Sequence, residues 1–83
     1  MQEPFILEVE YNGRQYELDT QYQPLGYIHR FVVVIEGVEM WFERDEEGSY
    51  RAVLPPGTPE KEASKLDRHL LAAVAAKIEE ILS

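Results

Sequence analysis

An α+β fold is predicted for this 83-residue chain: an antiparallel five-stranded meander sheet with one long C-terminal helix packed on one face, in the order βββββα. Three observations predict it. Residues 5–11 alternate apolar and polar up to Asn12-Gly13, and the alternation resumes over 14–20. Residues 27–35 and 38–45 repeat the arrangement around Glu36-Gly37. Beyond a Pro-rich connector, apolar residues recur every three or four positions. Alternation marks strands with one buried face, and the longer period marks an amphipathic helix.

The first hairpin has the strongest local signal. Asn12-Gly13 supplies the two positive-φ positions of a type I′ turn, and a two-residue loop dictates register. Tyr11 then pairs with Arg14, Val9 with Tyr16, Leu7 with Leu18 and Phe5 with Thr20, an apolar face. The opposite face pairs Glu10 with Gln15 and Glu8 with Glu17, residues that belong in water. Pro24 and Gly26 are breakers, so residues 20–26 are expected to form a loop. The second hairpin pairs Ile35 with Val38, Val33 with Met40, Phe31 with Phe42 and His29 with Arg44. Glu46-Glu47-Gly48 is a three-residue loop with Gly48 left-handed. It leads into a fifth strand over 49–54 that pairs Arg44 with Tyr50, Phe42 with Ala52 and Met40 with Leu54.

The helix is expected over 59–82. Thr58 is the expected N-cap and Pro59 the first helical residue, with Glu60 and Glu62 facing the positive end of the dipole. Ala63, Leu66, Leu70, Val74, Ile78 and Ile81 form one apolar stripe, with Leu71 and Leu82 on its flank. A helix with one apolar stripe must bury it, and the apolar face of the sheet is the only large partner.

Length limits the chain to a single domain, 1–83, with little room for a deep cleft. The chain has no cysteine, which removes a disulfide framework, a thiolate metal site and a cysteine nucleophile. Met1-Gln2-Glu3-Pro4 lacks the basic and apolar regions of a signal peptide, and no apolar run approaches membrane-spanning length. The expected location is therefore cytoplasmic, without membrane partners. Sixteen acids against eight bases give a net charge of −8, which repels phosphate backbones. Since Arg14, Arg30, Arg44, Arg51 and Arg68 are dispersed, no nucleic-acid role is expected.

No motif names a reaction. His29 and His69 fall on different surfaces and lack a third ligand, so no metal site is expected. Asp45-Glu46-Glu47-Gly48 lacks the alternating spacing of a calcium loop and reads as a solvated hairpin tip. The glycines are isolated turn residues, and Ser49, Ser64 and Ser83 have no histidine beside them. No cofactor and no catalytic residue is expected.

The outer face of the second hairpin is less ordinary. Its register pairs Val34 with Glu39, Val32 with Trp41 and Arg30 with Glu43, and the next strand adds Val53 beside Trp41 and Arg51 beside Glu43. Arg30, Glu43 and Arg51 form a charge ladder normal for a wet face. Val32, Val34, Trp41 and Val53 do not suit one. They form either a protein-partner or homodimer surface anchored on Trp41, or a second small core capped by residues 20–26 or the N-terminus. A further candidate is a small-molecule or peptide pocket between the helix and the sheet end, near His29, Arg44 and Tyr50. Ala72, Ala75 and Ala76 give the helix a small-residue side, which is also what good helix formers look like.

The run Trp41-Phe42-Glu43-Arg44-Asp45-Glu46-Glu47-Gly48-Ser49-Tyr50-Arg51-Ala52, a Pro-rich link and the helix Leu70-Leu71-Ala72-Ala73-Val74-Ala75-Ala76-Lys77-Ile78-Glu79-Glu80-Ile81 together resemble a type of small uncharacterised bacterial protein. The resemblance implies the sheet-plus-helix fold and a family without an assigned activity. It transfers no site residue.

Overall fold

A computed structural model describes residues 4–82, apart from the side chain of Leu25. The signal-peptide reading of Met1-Gln2-Glu3 lies outside the described residues. Five strands, β1 (Phe5–Tyr11), β2 (Arg14–Leu25), β3 (Ile28–Ile35), β4 (Val38–Arg44) and β5 (Tyr50–Val53), precede two helices, α1 (Glu60–Ala63) and α2 (Arg68–Leu82). The strands form one antiparallel sheet in the order β1-β2-β3-β4-β5. The chain is thus an α+β fold, a meander followed by a C-terminal helix on one sheet face.

Turn chemistry dictates the registers. Asn12 and Gly13 both have positive φ (53° and 76°), and Tyr11 pairs with Arg14. Glu36 and Gly37 do the same (51° and 82°), closing Ile35 on Val38. A glutamate in the left-handed region carries a steric cost that asparagine or glycine largely avoids. At the third turn Asp45 N–H donates to the Ser49 carbonyl (2.8 Å), leaving a three-residue loop with Gly48 at φ 88°.

Two expectations require correction. Residues 20–26 do not form a loop: β2 runs on to Leu25 and pairs with β3 through a two-residue turn at Gly26-Tyr27. Pro24 is tolerated because Leu25 and Ile28 close this hairpin as a hydrogen-bonded pair. The Pro24–His29 pair is then a non-hydrogen-bonded one, and the missing N–H would have pointed away from β3. The helix over 59–82 is also broken at residues 64–67. Thr58 is not its N-cap; that position belongs to Pro59, without a side-chain cap, while Thr58 N–H donates to the Pro55 carbonyl (3.2 Å). After α1, Lys65 N–H reaches Glu62 and Leu66 N–H reaches Ala63, tight three-residue turns that end the helix. Asp67 restarts it, accepting the His69 N–H on Oδ1 at 2.8 Å.

The core lies between the sheet and α2. Val33, Ile35, Phe42, Val74 and Ile78 are fully buried, and Leu7, Val9, Leu18, Phe31, Met40, Leu66 and Leu70 are nearly so. Among the described residues Thr20 is the buried polar one, and its hydroxyl donates to the Leu18 carbonyl at 3.0 Å. The stripe ends early: Ile81 and Leu82 are about half exposed, at 47% and 54%. Ala75 is buried, whereas Ala72 and Ala76 face solvent.

α2 packs against β5 and β1, the two outermost strands. In a flat sheet those strands would stand roughly 19 Å apart, whereas a helix is only about 10–12 Å wide. The sheet therefore curls around α2, in the sense of its natural twist. Two polar contacts hold the curl. Tyr11 at the end of β1 donates its O–H to Asp67 Oδ2 at the start of α2 (2.9 Å). Tyr50 N–H at the start of β5 donates to Glu79 Oε2 near the end of α2 (2.8 Å). The helix thus crosses the trough diagonally.

Candidate functional site

The outer sheet face is assembled as its register predicts. Gln21, Val32, Trp41 and Val53 form one row across β2–β5, and Gln23, Arg30, Glu43 and Arg51 form the next. Val34 lies one step further along β3, opposite Glu39, and is 38% exposed. Ile6 and Ile28 share this face by strand alternation and are 53% and 48% exposed.

Val32, Trp41 and Val53 are only half-buried, and their cover is local. The Arg30 guanidinium lies 3.7 Å from the centroid of the indole, while Arg30 Nε bonds Glu43 Oε2 at 2.8 Å. The indole N–H donates to Glu39 Oε2 at 3.2 Å. A guanidinium stacked on an indole and anchored by a carboxylate is a favourable arrangement on a partly wet surface. Trp41 is consequently held in one orientation by its neighbours. Residues 20–26 do not cap the patch, because they belong to the sheet itself.

The pocket expected near His29, Arg44 and Tyr50 is divided. Arg44 and Tyr50 pair across β4 and β5 and line a cleft of about 220 Å³ with Gly48, Glu79 and Leu82. His29 lies elsewhere, with Nδ1 hydrogen-bonded to the Tyr22 hydroxyl and its ring stacked on Tyr22 at 6.0 Å. Tyr22 leads to Phe31 (5.0 Å), and Phe31 to Tyr50 (5.7 Å, edge to face). His29 and Tyr50 are thus the two ends of an aromatic row, a packing role. Burial pushes the Tyr50 phenol above its ordinary value, with Arg44 opposing the shift.

Other candidates are occupied by structural work. Asp45 Oδ1 accepts the N–H groups of Glu47 (2.9 Å) and Ser49 (3.0 Å) and shapes the turn. His69 is exposed, with Nδ1 3.6 Å from Asp67 Oδ1. Among the described residues no group of three or more His, Asp or Glu side chains is placed to hold a metal, and no helix is long and apolar enough to cross a membrane.

Sequence reasoning missed a groove beside β5. Where α2 diverges from that strand, a space of about 420 Å³ is bordered by Tyr50, Ala52, Leu71, Ala75, Arg51 and Arg68. It adjoins a larger one of about 600 Å³ beneath α1, which Ala52, Leu71 and Arg68 also line. The groove follows from the helix break and the diagonal crossing, neither of which has a signature in β5 itself.

Comparison with family models, curated proteins and solved structures gives no match to the chain.

Proposed function

We propose that this chain is a non-enzymatic protein-interaction module whose outer sheet face, centred on Trp41, docks a partner protein. The observation that carries this reading is the Val32–Trp41–Val53 row with Arg30 stacked on the indole, on the side of the sheet opposite α2. A tryptophan held in place before binding loses little entropy on docking, which is the property of an interface anchor. The same face carries Glu8, Glu10, Glu17, Asp19, Glu39 and Glu43 against Arg30 and Arg51. Its complement is an apolar centre with a basic rim. Pairing with a second copy sets carboxylate against carboxylate, so a different protein is the better partner. The sheet-end cleft supports a small-molecule reading less well, since about 220 Å³ falls below the ligand-pocket range of roughly 300–1,000 Å³.

The test is a photo-crosslinking side chain at position 34, with position 69 as an exposed control, combined with sedimentation of the free chain. Monomeric sedimentation and a discrete adduct at 34, lost with Trp41→Ala, are expected. A dimer dissolved by Val34→Lys would assign the face to self-association. Equal crosslinking at 34 and 69 would remove the proposal.

A further inference from the structure

We infer that the open edge of β5 binds an extended acidic segment of a partner protein as a sixth strand, at a site separate from the Trp41 face. The argument begins with main-chain alternation. The Asp45 N–H to Ser49 carbonyl bond makes that pair a hydrogen-bonded one, so Glu43–Arg51 and Trp41–Val53 are hydrogen-bonded too. The N–H and C=O groups of Tyr50 and Ala52 then point away from β4. Tyr50 N–H is satisfied by Glu79, which confirms the direction. The Ala52 groups face the groove.

The β1 edge is protected along its length by charge, whereas on β5 Glu79 covers only the Tyr50 N–H and leaves the Ala52 groups open. Tyr11 and Arg14 close the first hairpin as a hydrogen-bonded pair, so Ile6, Glu8 and Glu10 direct their main-chain groups off the free edge of β1. Two of those three carry carboxylates, a usual device against edge pairing. The corresponding positions of β5 are a tyrosine and an alanine.

The groove beside β5 suits a strand. Ala52, Leu71 and Ala75 offer an apolar wall for inward side chains, and the exposed Ala72 allows a backbone to approach α2. Strand addition of this kind takes affinity from main-chain hydrogen bonds and selectivity from alternate side chains. The charge picks the occupant. Arg51 and Arg68 border the 420 Å³ space and no acid does, in a chain of net charge −8, and Glu60 is the one acid lining the adjoining space. An extended segment with carboxylates beside its apolar residues complements it; a basic one does not. An acyl chain would use the apolar wall but leave the Ala52 main chain unmatched.

The probe is a short capped peptide alternating valine with glutamate, titrated into the 83-residue chain and followed by amide NMR. The Ala52 amide should shift and become protected from exchange. Charge reversal by Arg68→Glu, at a position off the outer sheet face, should weaken binding severalfold or more. Ala72→Phe, at an exposed helical position, should block the groove while circular dichroism stays unchanged. Trp41→Ala should leave binding intact, which separates this site from the outer face. The inference is overturned if the peptide leaves the Ala52 amide unmoved at millimolar concentration. It is equally overturned if a valine–lysine peptide binds as well, or if N-methylation of alternate peptide amides has no effect. Displacement of the peptide by laurate, with the Ala52 amide left unprotected in the peptide complex, would assign the space to an acyl ligand instead.

Discussion

Tyr11 and Asp67, fifty-six residues apart, are joined by a 2.9 Å hydrogen bond that ties the edge strand β1 to the start of α2. Asp67 is also the N-cap of that helix, through His69 N–H. One carboxylate therefore both starts the helix and docks it.

The double role has a signature in acid. The His69 N–H first, and the Tyr11 hydroxyl second, hold the Asp67 carboxyl below its ordinary value of 3.8. A depressed folded-state value contributes stability that is complete above the unfolded-state value and lost as pH falls through the folded one. Melting temperature should therefore fall with acidification below about pH 4, where Asp67 begins to protonate in the unfolded chain. Asp67→Asn, which still caps, should flatten that part of the profile in thermal melts.

The same bond acts in base. Donation to Asp67 raises the Tyr11 phenol above its ordinary value, and its stabilisation, present below the unfolded-state value, is lost as pH rises through the folded one. Burial raises Tyr50 likewise. In a phenolate absorbance titration, Tyr11 and Tyr50 should ionise above the ordinary tyrosine value. Tyr11→Phe should remove one late component without unfolding the chain.

Glu79 guards the start of the β5 edge. A carboxylate accepting a main-chain N–H contributes about 1.5–3 kcal/mol, less where water reaches it. Glu79→Ala should speed exchange of the Tyr50 amide and lower denaturant stability by about 1 kcal/mol. Unchanged exchange at Tyr50 would show that the contact does not form in solution.

Glu36 is a non-glycine residue at φ 51° in a type I′ turn. Its side chain is exposed, so nothing in the packing requires glutamate there. Glu36→Asn or Glu36→Gly should raise stability by about 0.5–1 kcal/mol, read from the urea midpoint.

Arg30 orients Trp41. Arg30→Ala should uncover the indole and shift its emission to the red. This chain has a single tryptophan, so the spectrum reports that face alone. An unchanged spectrum would mean the guanidinium does not lie on the ring.

Several features were legible in the linear chain. Asn12-Gly13, Glu36-Gly37 and Gly48 are local signals, and each sets a register because strand side chains repeat every two residues. From those registers came the apolar inner face, the Arg30–Glu43–Arg51 ladder and the row through Val32, Trp41 and Val53. Pro24 misled because its effect depends on which side of β2 its nitrogen faces, and that follows from the Gly26-Tyr27 turn closing on Leu25 and Ile28. Strand pairing alone places His29 beside Arg44 and Tyr50; the longer β2 brings Tyr22 against His29 and ties its ring there.

By itself, then, the sequence determined the sheet, its faces and the presence of a covering helix, since those depend on turn geometry and side-chain period. The tertiary structure decided how the helix crosses the sheet. The curl of β1 and β5 around α2, the restart at Asp67 and the groove left beside β5 depend on contacts between residues far apart in the chain: Tyr11 with Asp67, and Tyr50 with Glu79. Such contacts follow from the packed shape of a whole core, and no local period encodes them.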